Sequence, residues 1–129
     1  MILFNKLKSL FAILLLMSSN QLLADQCPTP EVIKDRKITR DYEWTIDERR
    51  TLDDVLSVEK LYSVRIKNNG EYIACYYSGS KKLLRLDGKP LKLTCKVNYI
   101  SGSWEMVENG EQICKEDELG LCEYDINCE

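Results

Sequence analysis

The chain has 129 residues, 18 of them basic and 21 acidic, with a formal net charge of −3 and no histidine. The missing histidine excludes Ser-His-Asp and Cys-His nucleophilic catalysis, histidine acid–base catalysis and most zinc enzymes. The length suits one small domain preceded by a leader.

That leader comes first in the chain. Lys6 and Lys8 precede an apolar run at 10–17, and a short polar stretch then ends at Leu22-Leu23-Ala24. A charged start, an apolar centre and a small residue at the cut make residues 1–24 a secretory signal peptide. The apolar run is too short to span a bilayer. Cys27 does not directly follow the small residue, so no lipid-anchored N-terminal cysteine is expected. The mature domain is expected to be 25–129 and its location periplasmic or secreted. Losing both lysines leaves 16 basic residues against 21 acidic ones, a net charge of −5. No second long apolar run remains, so no membrane span is expected after cleavage.

The mature part opens with Cys27-Pro28-Thr29-Pro30. Thr29 is a good N-cap and Pro30 suits the first helical position, where its missing N–H costs nothing. A short helix over 30–36 is predicted. Tyr42, Trp44 and Ile46 then alternate with polar residues, predicting a strand over 37–46. Thr51-Leu52-Asp53-Asp54 has the spacing of a capping box with Asp replacing Glu, so a second short helix over 52–58 is expected. Period two returns over 61–67, with Tyr62, Val64 and Ile66 on one side. Asn68-Asn69-Gly70 turns that strand into the next, 72–77. Ser78-Gly79-Ser80 and Asp87-Gly88-Lys89-Pro90 read as turns around the run 83–86. Over 91–99, Leu91, Leu93, Cys95, Val97 and Tyr99 alternate with polar residues as a half-buried strand. A last strand over 104–107 is turned by Asn109-Gly110 toward Ile113 and Cys114, and an acidic tail follows.

All six cysteines, Cys27, Cys75, Cys95, Cys114, Cys122 and Cys128, belong to the mature part. An even number in a small exported chain reads as a disulfide framework. No two form a Cys-x-x-Cys pair and no histidine is present to complete a site, so no metal is expected. Cys75 lies between Ile73 and Tyr77 on an apolar side, and Cys95 lies likewise between Leu93 and Val97. Cys75 is therefore expected to bond to Cys95, which requires 83–86 to lie out of the direct path between them. The pairing of Cys27, Cys114, Cys122 and Cys128 is left open by the sequence.

Charge is unevenly placed. Residues 60–96 carry +7 net, whereas 105–129 carry −8. Either the acidic tail lies over the basic sheet, or the basic face meets an anion. If Ile73, Cys75 and Tyr77 point inward, Tyr72 and Tyr76 point outward with Arg65, Lys67, Arg85, Lys92 and Lys96. Tyrosines interleaved with cations can hold an anionic polymer or a saccharide by stacking and charge. These seven residues are the candidate ligand-binding set. No residues are assigned a catalytic role. Adjacent acids such as Asp53-Asp54 suit a helix start better than a catalytic cleft. The 125–129 stretch lacks the glycine and third ligand of a calcium loop, and no Gly-rich phosphate loop is present.

Cys-Pro at 27–28, Cys75-Tyr76-Tyr77, Cys95, Trp104 and Cys114 followed by Cys122 form a pattern over most of the mature chain. It resembles small cysteine-containing exported proteins of Gram-negative bacteria with no assigned function. The resemblance implies export and a compact β-rich domain, and it supplies no catalytic residues. Through 75–79 and Ser101-Gly102-Ser103-Trp104 the chain is also similar to periplasmic lysozyme-inhibitor barrels, which place an inhibitory loop near a Ser-Gly sequence.

The fold expected is α+β: a small disulfide-stabilised antiparallel sheet of roughly five strands with one or two short helices. The function expected is that of an exported non-catalytic binding module without a cofactor, its partner a protein or glycan rather than a nucleic acid. The alternative is a proteinaceous inhibitor of a hydrolase, and a carboxylate-based hydrolase comes third.

Overall fold

The computed structural model describes residues 24–35, 41–116 and 118–128. The leader up to Leu23 and the predicted strand residues 37–40 lie outside them. Helix α1, Pro30–Lys34, begins as its sequence dictates. The Thr29 hydroxyl accepts from the Val32 N–H, Pro30 opens the helix, and only Ile33 is buried. Strand β1, Tyr42–Ile46, follows. Helix α2, Leu52–Leu56, carries the complete capping box. Thr51 accepts from the Asp54 N–H and the Asp54 carboxylate accepts from the Thr51 N–H.

Seven further strands follow: β2 Val58–Lys67, β3 Tyr72–Gly79, β4 Leu84–Pro90, β5 Cys95–Ser101, β6 Trp104–Val107, β7 Glu111–Cys114 and β8 Glu123–Cys128. Among the described residues β1, β4, β3, β2, β7 and β6 make one six-stranded sheet in that order, and β5 and β8 make a second of two. All pairings are antiparallel. The expected small, disulfide-bonded antiparallel sheet with two short helices is present, with more strands than the five expected.

Register explains the core. Val64 stands opposite Cys75, Cys75 opposite Leu86, and Leu86 opposite Ile46. Ile66, Ile73, Gly88 and Trp44 form the next row. These rows share the inner face, and Val97 and Tyr124 of the small sheet join the same core. Each fully buried Ile or Leu adds roughly 1.5–3 kcal/mol of transfer free energy. The buried Tyr77 hydroxyl is satisfied by donating to the Pro28 carbonyl at 2.7 Å.

Three corrections follow from this arrangement. Asp87-Gly88-Lys89-Pro90 is part of β4 and not a turn. Gly88 is there for close packing, since a Cβ would lie 2.5 Å from the Trp44 ring. The strand expected over 91–99 starts only at Cys95. Because β4 runs on to Pro90, the chain must turn at once to reach the second sheet, and the Cys95 N–H donates to the Lys92 carbonyl in that turn. Leu91 and Leu93 consequently stand 62% and 84% exposed.

The third correction concerns sulfur. The bonds join Cys27 to Cys75, Cys95 to Cys128, and Cys114 to Cys122. Cys75 does not pair with Cys95, because β4 is a full strand beside β3 and Cys95 belongs to the other sheet. Cys95 instead faces Cys128 directly across the β5–β8 pair. Three disulfides in a chain this small are consistent with a protein outside the cytoplasm.

The two Asn-Gly turns, at 69–70 and 109–110, each place asparagine and glycine at positive φ. They meet one another. A Cβ on Gly110 would fall 2.3 Å from the Asn69 side-chain oxygen, and the φ of +68° there favours glycine.

Candidate functional site

The outer face of the large sheet gathers five of the seven predicted residues. Tyr76 of β3 stands opposite Ser63 of β2 and Arg85 of β4. The Arg65 guanidinium lies 5.2 Å from the Tyr76 ring centre and that of Arg85 lies 5.4 Å from it. The Tyr76 ring therefore carries two cation–π contacts, one from each flanking strand. Arg85 is also 5.8 Å from the Tyr72 ring, and its Nη2 donates to the Tyr72 hydroxyl at 3.0 Å. Ala74, between the two tyrosines on this face, is fully buried beneath the layer.

Most of the charge on this face is already paired. Arg85 Nε donates to Asp87 at 2.7 Å. Partial burial disfavours the charged guanidinium, but the Asp87 bond and the charge of Asp87 and the two tyrosines together raise the Arg85 pKa. Glu111 of β7 accepts from Arg65 at 3.2 Å and from Lys67 at 3.1 Å. Burial alone would raise the Glu111 carboxyl, yet the bonds from Lys67 and Arg65 hold it below its ordinary value. One acid of the 105–129 stretch thus pairs with two of the candidate cations and leaves one net positive charge. The end of that stretch does something else, pairing as β8 with β5.

Lys92 and Lys96 do not join the face. Lys92 sits in the turn after β4, beside Asp25, Asp41 and Asp125. Lys96 is exposed on β5, opposite Asn127 in the smaller sheet.

Two residues outside the predicted set do join it. The alternation of Tyr62 with Val64 and Ile66 suggests a shared side, but a register shift between Leu61 and Ser63 breaks the period. Tyr62 is 42% exposed, with its ring 6.0 Å from that of Tyr76. Arg50 lies just beyond β1. An open depression of about 620 Å³ runs along the face, bounded by Arg50, Tyr62, Tyr76, Leu83, Arg85 and Asp47. Asp47 is taken by Arg49, whose Nη2 donates to it at 2.6 Å. Its hydrogen bonds from Arg49 hold the Asp47 carboxyl well below the usual range. Arg50, a partly buried residue, makes no ion pair or side-chain hydrogen bond among the described residues, although its charge acts on Asp47 and Asp54. The sequence offers no sign of Arg50, which lies in a loop with no periodicity.

The Ser-Gly stretch is held firmly. Gly102 has φ +101°, and a Cβ there would come within 2.9 Å of the Leu121 carbonyl oxygen. The Trp104 indole N–H donates to the Ser101 carbonyl at 2.8 Å, the Lys115 N–H donates to Ser103, and the Trp104 ring stacks on Tyr99.

No family model matches the chain, and no curated protein and no solved structure is detectably similar to it.

Proposed function

We propose that the protein is an exported, non-catalytic binding module and that the tyrosine–arginine face of its large sheet holds a saccharide. The observation that carries this reading is the Tyr76 ring, braced from both sides by arginines and set beside Tyr62 along an open depression. Stacking needs a rigid ring, and the flanking guanidinium groups fix this one. A saccharide is favoured over a long polyanion because Arg65, Lys67 and Arg85 are already paired with Glu111 and Asp87. Sugar rings stack on tyrosine faces and exchange hydrogen bonds with the charged groups around them.

Titration calorimetry against a panel of soluble oligosaccharides tests this. Tyr76→Ala is expected to lose at least tenfold in affinity, and Tyr76→Phe, which keeps the ring, to bind like the parent. Equal affinity of the alanine variant and the parent would remove this face from the binding reaction.

A second reading is supported by the braced Ser101–Trp104 stretch, whose Gly102 and Ser103 are exposed on a rigid support. A rigid exposed loop suits inhibition of a hydrolase. Stoichiometric loss of muramidase activity on adding the protein, reversed by Ser103→Arg, would favour it over the module.

A further inference from the structure

Arg50 gives the depression a chemical preference that the sheet face alone does not have. Of the arginines on or beside this face, Arg65 is paired with Glu111, which it shares with Lys67, Arg85 with Asp87, and Arg49 with Asp47. Arg50 has no such partner among the described residues. The loop acid Asp47, which also feels the Arg50 charge, takes its side-chain hydrogen bonds from Arg49. An unpaired guanidinium at the wall of a depression retains its full fork of donors, and that fork matches a carboxylate in two parallel bonds. Tyr62 and Tyr76 offer rings along the same depression.

The combination of ring faces with one uncommitted guanidinium fits a ligand that carries both a ring and one carboxylate. We infer that the depression selects acidic sugar residues, and that Arg50 takes their carboxylate while Tyr62 and Tyr76 take the ring. This inference rests on the saccharide reading above and narrows it to one class of sugar. Asp47 and Asp87, each already accepting from an arginine, keep lone pairs for sugar hydroxyls. Their negative charge also disfavours a doubly charged group such as a phosphate monoester.

Matched pairs of probes isolate the carboxylate. A β-1,4-linked oligomannuronate and the corresponding oligomannoside differ only at C6. Oligogalacturonate can be compared with the corresponding oligogalactoside, and sialyllactose with its methyl ester, in the same way. At 0.15 M salt the parent protein is expected to bind at least one acidic member about tenfold more tightly than its neutral counterpart. Arg50→Gln is expected to erase that preference while keeping the weaker neutral binding, and Arg50→Lys to keep part of it. Lys92→Gln and Lys96→Gln, which lie off the face, are expected to change nothing and control for diffuse charge attraction. Far-UV circular dichroism verifies that each variant is folded. Equal affinity for acidic and neutral members, or a preference that survives Arg50→Gln, overturns this inference and leaves the saccharide reading standing. No binding to any member of the panel overturns both.

Discussion

Removing disulfides one at a time ranks their contributions, and loop length sets the expected order. Cys27 and Cys75 are 48 residues apart, Cys95 and Cys128 are 33 apart, and Cys114 and Cys122 only 8. In the chain-entropy account a cross-link stabilises by restricting the unfolded chain. For these separations it gives about 4.1, 3.8 and 2.6 kcal/mol respectively. The second loop contains the third. With the inner bridge intact the path from Cys95 to Cys128 shortens, and its contribution falls to about 3.6 kcal/mol. The first loop encloses no other cysteine, so its value is independent of the others. Cys27, Cys75, Cys114 and Cys122 are all buried, so the cavity left by a paired alanine replacement is similar at both sites. Cys27→Ala/Cys75→Ala should therefore lose about 1.5 kcal/mol more than Cys114→Ala/Cys122→Ala. At an m-value of about 1.5 kcal/mol/M the two urea midpoints should differ by about 1 M. Coincident midpoints, or a larger loss at the inner pair, would refute the loop-entropy reasoning for this fold.

Four other substitutions probe single interactions. Tyr124→Phe should be neutral or slightly stabilising, because the buried Tyr124 hydroxyl has no hydrogen-bond partner among the described residues; Tyr77→Phe, which breaks a bond to Pro28, should lose about 1 kcal/mol. The Thr51 N–H bond holds the Asp54 carboxyl below its ordinary value, so its contribution is present above the unfolded-state value and is lost as pH falls through the depressed one; Asp54→Asn should flatten the acid limb of a stability–pH curve, and an unchanged limb would dismiss this carboxylate as a contributor. Glu111→Gln should free Arg65 and Lys67 and delay elution from heparin, with the gain fading in salt as the charges are screened; unchanged elution would show that neither cation becomes available.

The sequence was most readable where a structure is written in neighbouring residues. The caps at Thr29 and Thr51 depend on groups three residues away, and both formed as expected. The Asn-Gly turns depend on backbone chirality alone. Outward placement of Tyr72, Tyr76, Arg65 and Arg85 followed from simple alternation, and with it the greater part of the candidate site. Readability failed where a distant partner decides. Asp87-Gly88 has the composition of a turn, but the indole of Trp44 needs that glycine inside a strand. Leu91 and Leu93 continue the alternation of β5, yet the step between sheets requires a turn there. A bulge before Ser63 reversed Tyr62, and no single-strand pattern announces a bulge. The sulfur pairing depended on which strand lies beside β3, a matter of topology and not of local spacing.

The order in which the bridges occur along the chain bears on how they can be made. A chain that enters an oxidising space amino-terminus first presents its thiols in sequence. An oxidase that joined each new thiol to the one before it would couple Cys27 to Cys75, which is native. It would then couple Cys95 to Cys114, which is not, because Cys95 must wait for Cys128 at the far end while Cys114 closes on Cys122. Reaching the native set from that start requires thiolate attack on a wrong bond through a mixed disulfide. Vectorial oxidation would therefore leave the amino-terminal half correctly linked and make maturation of the carboxy-terminal half depend on an isomerase or on delayed oxidation.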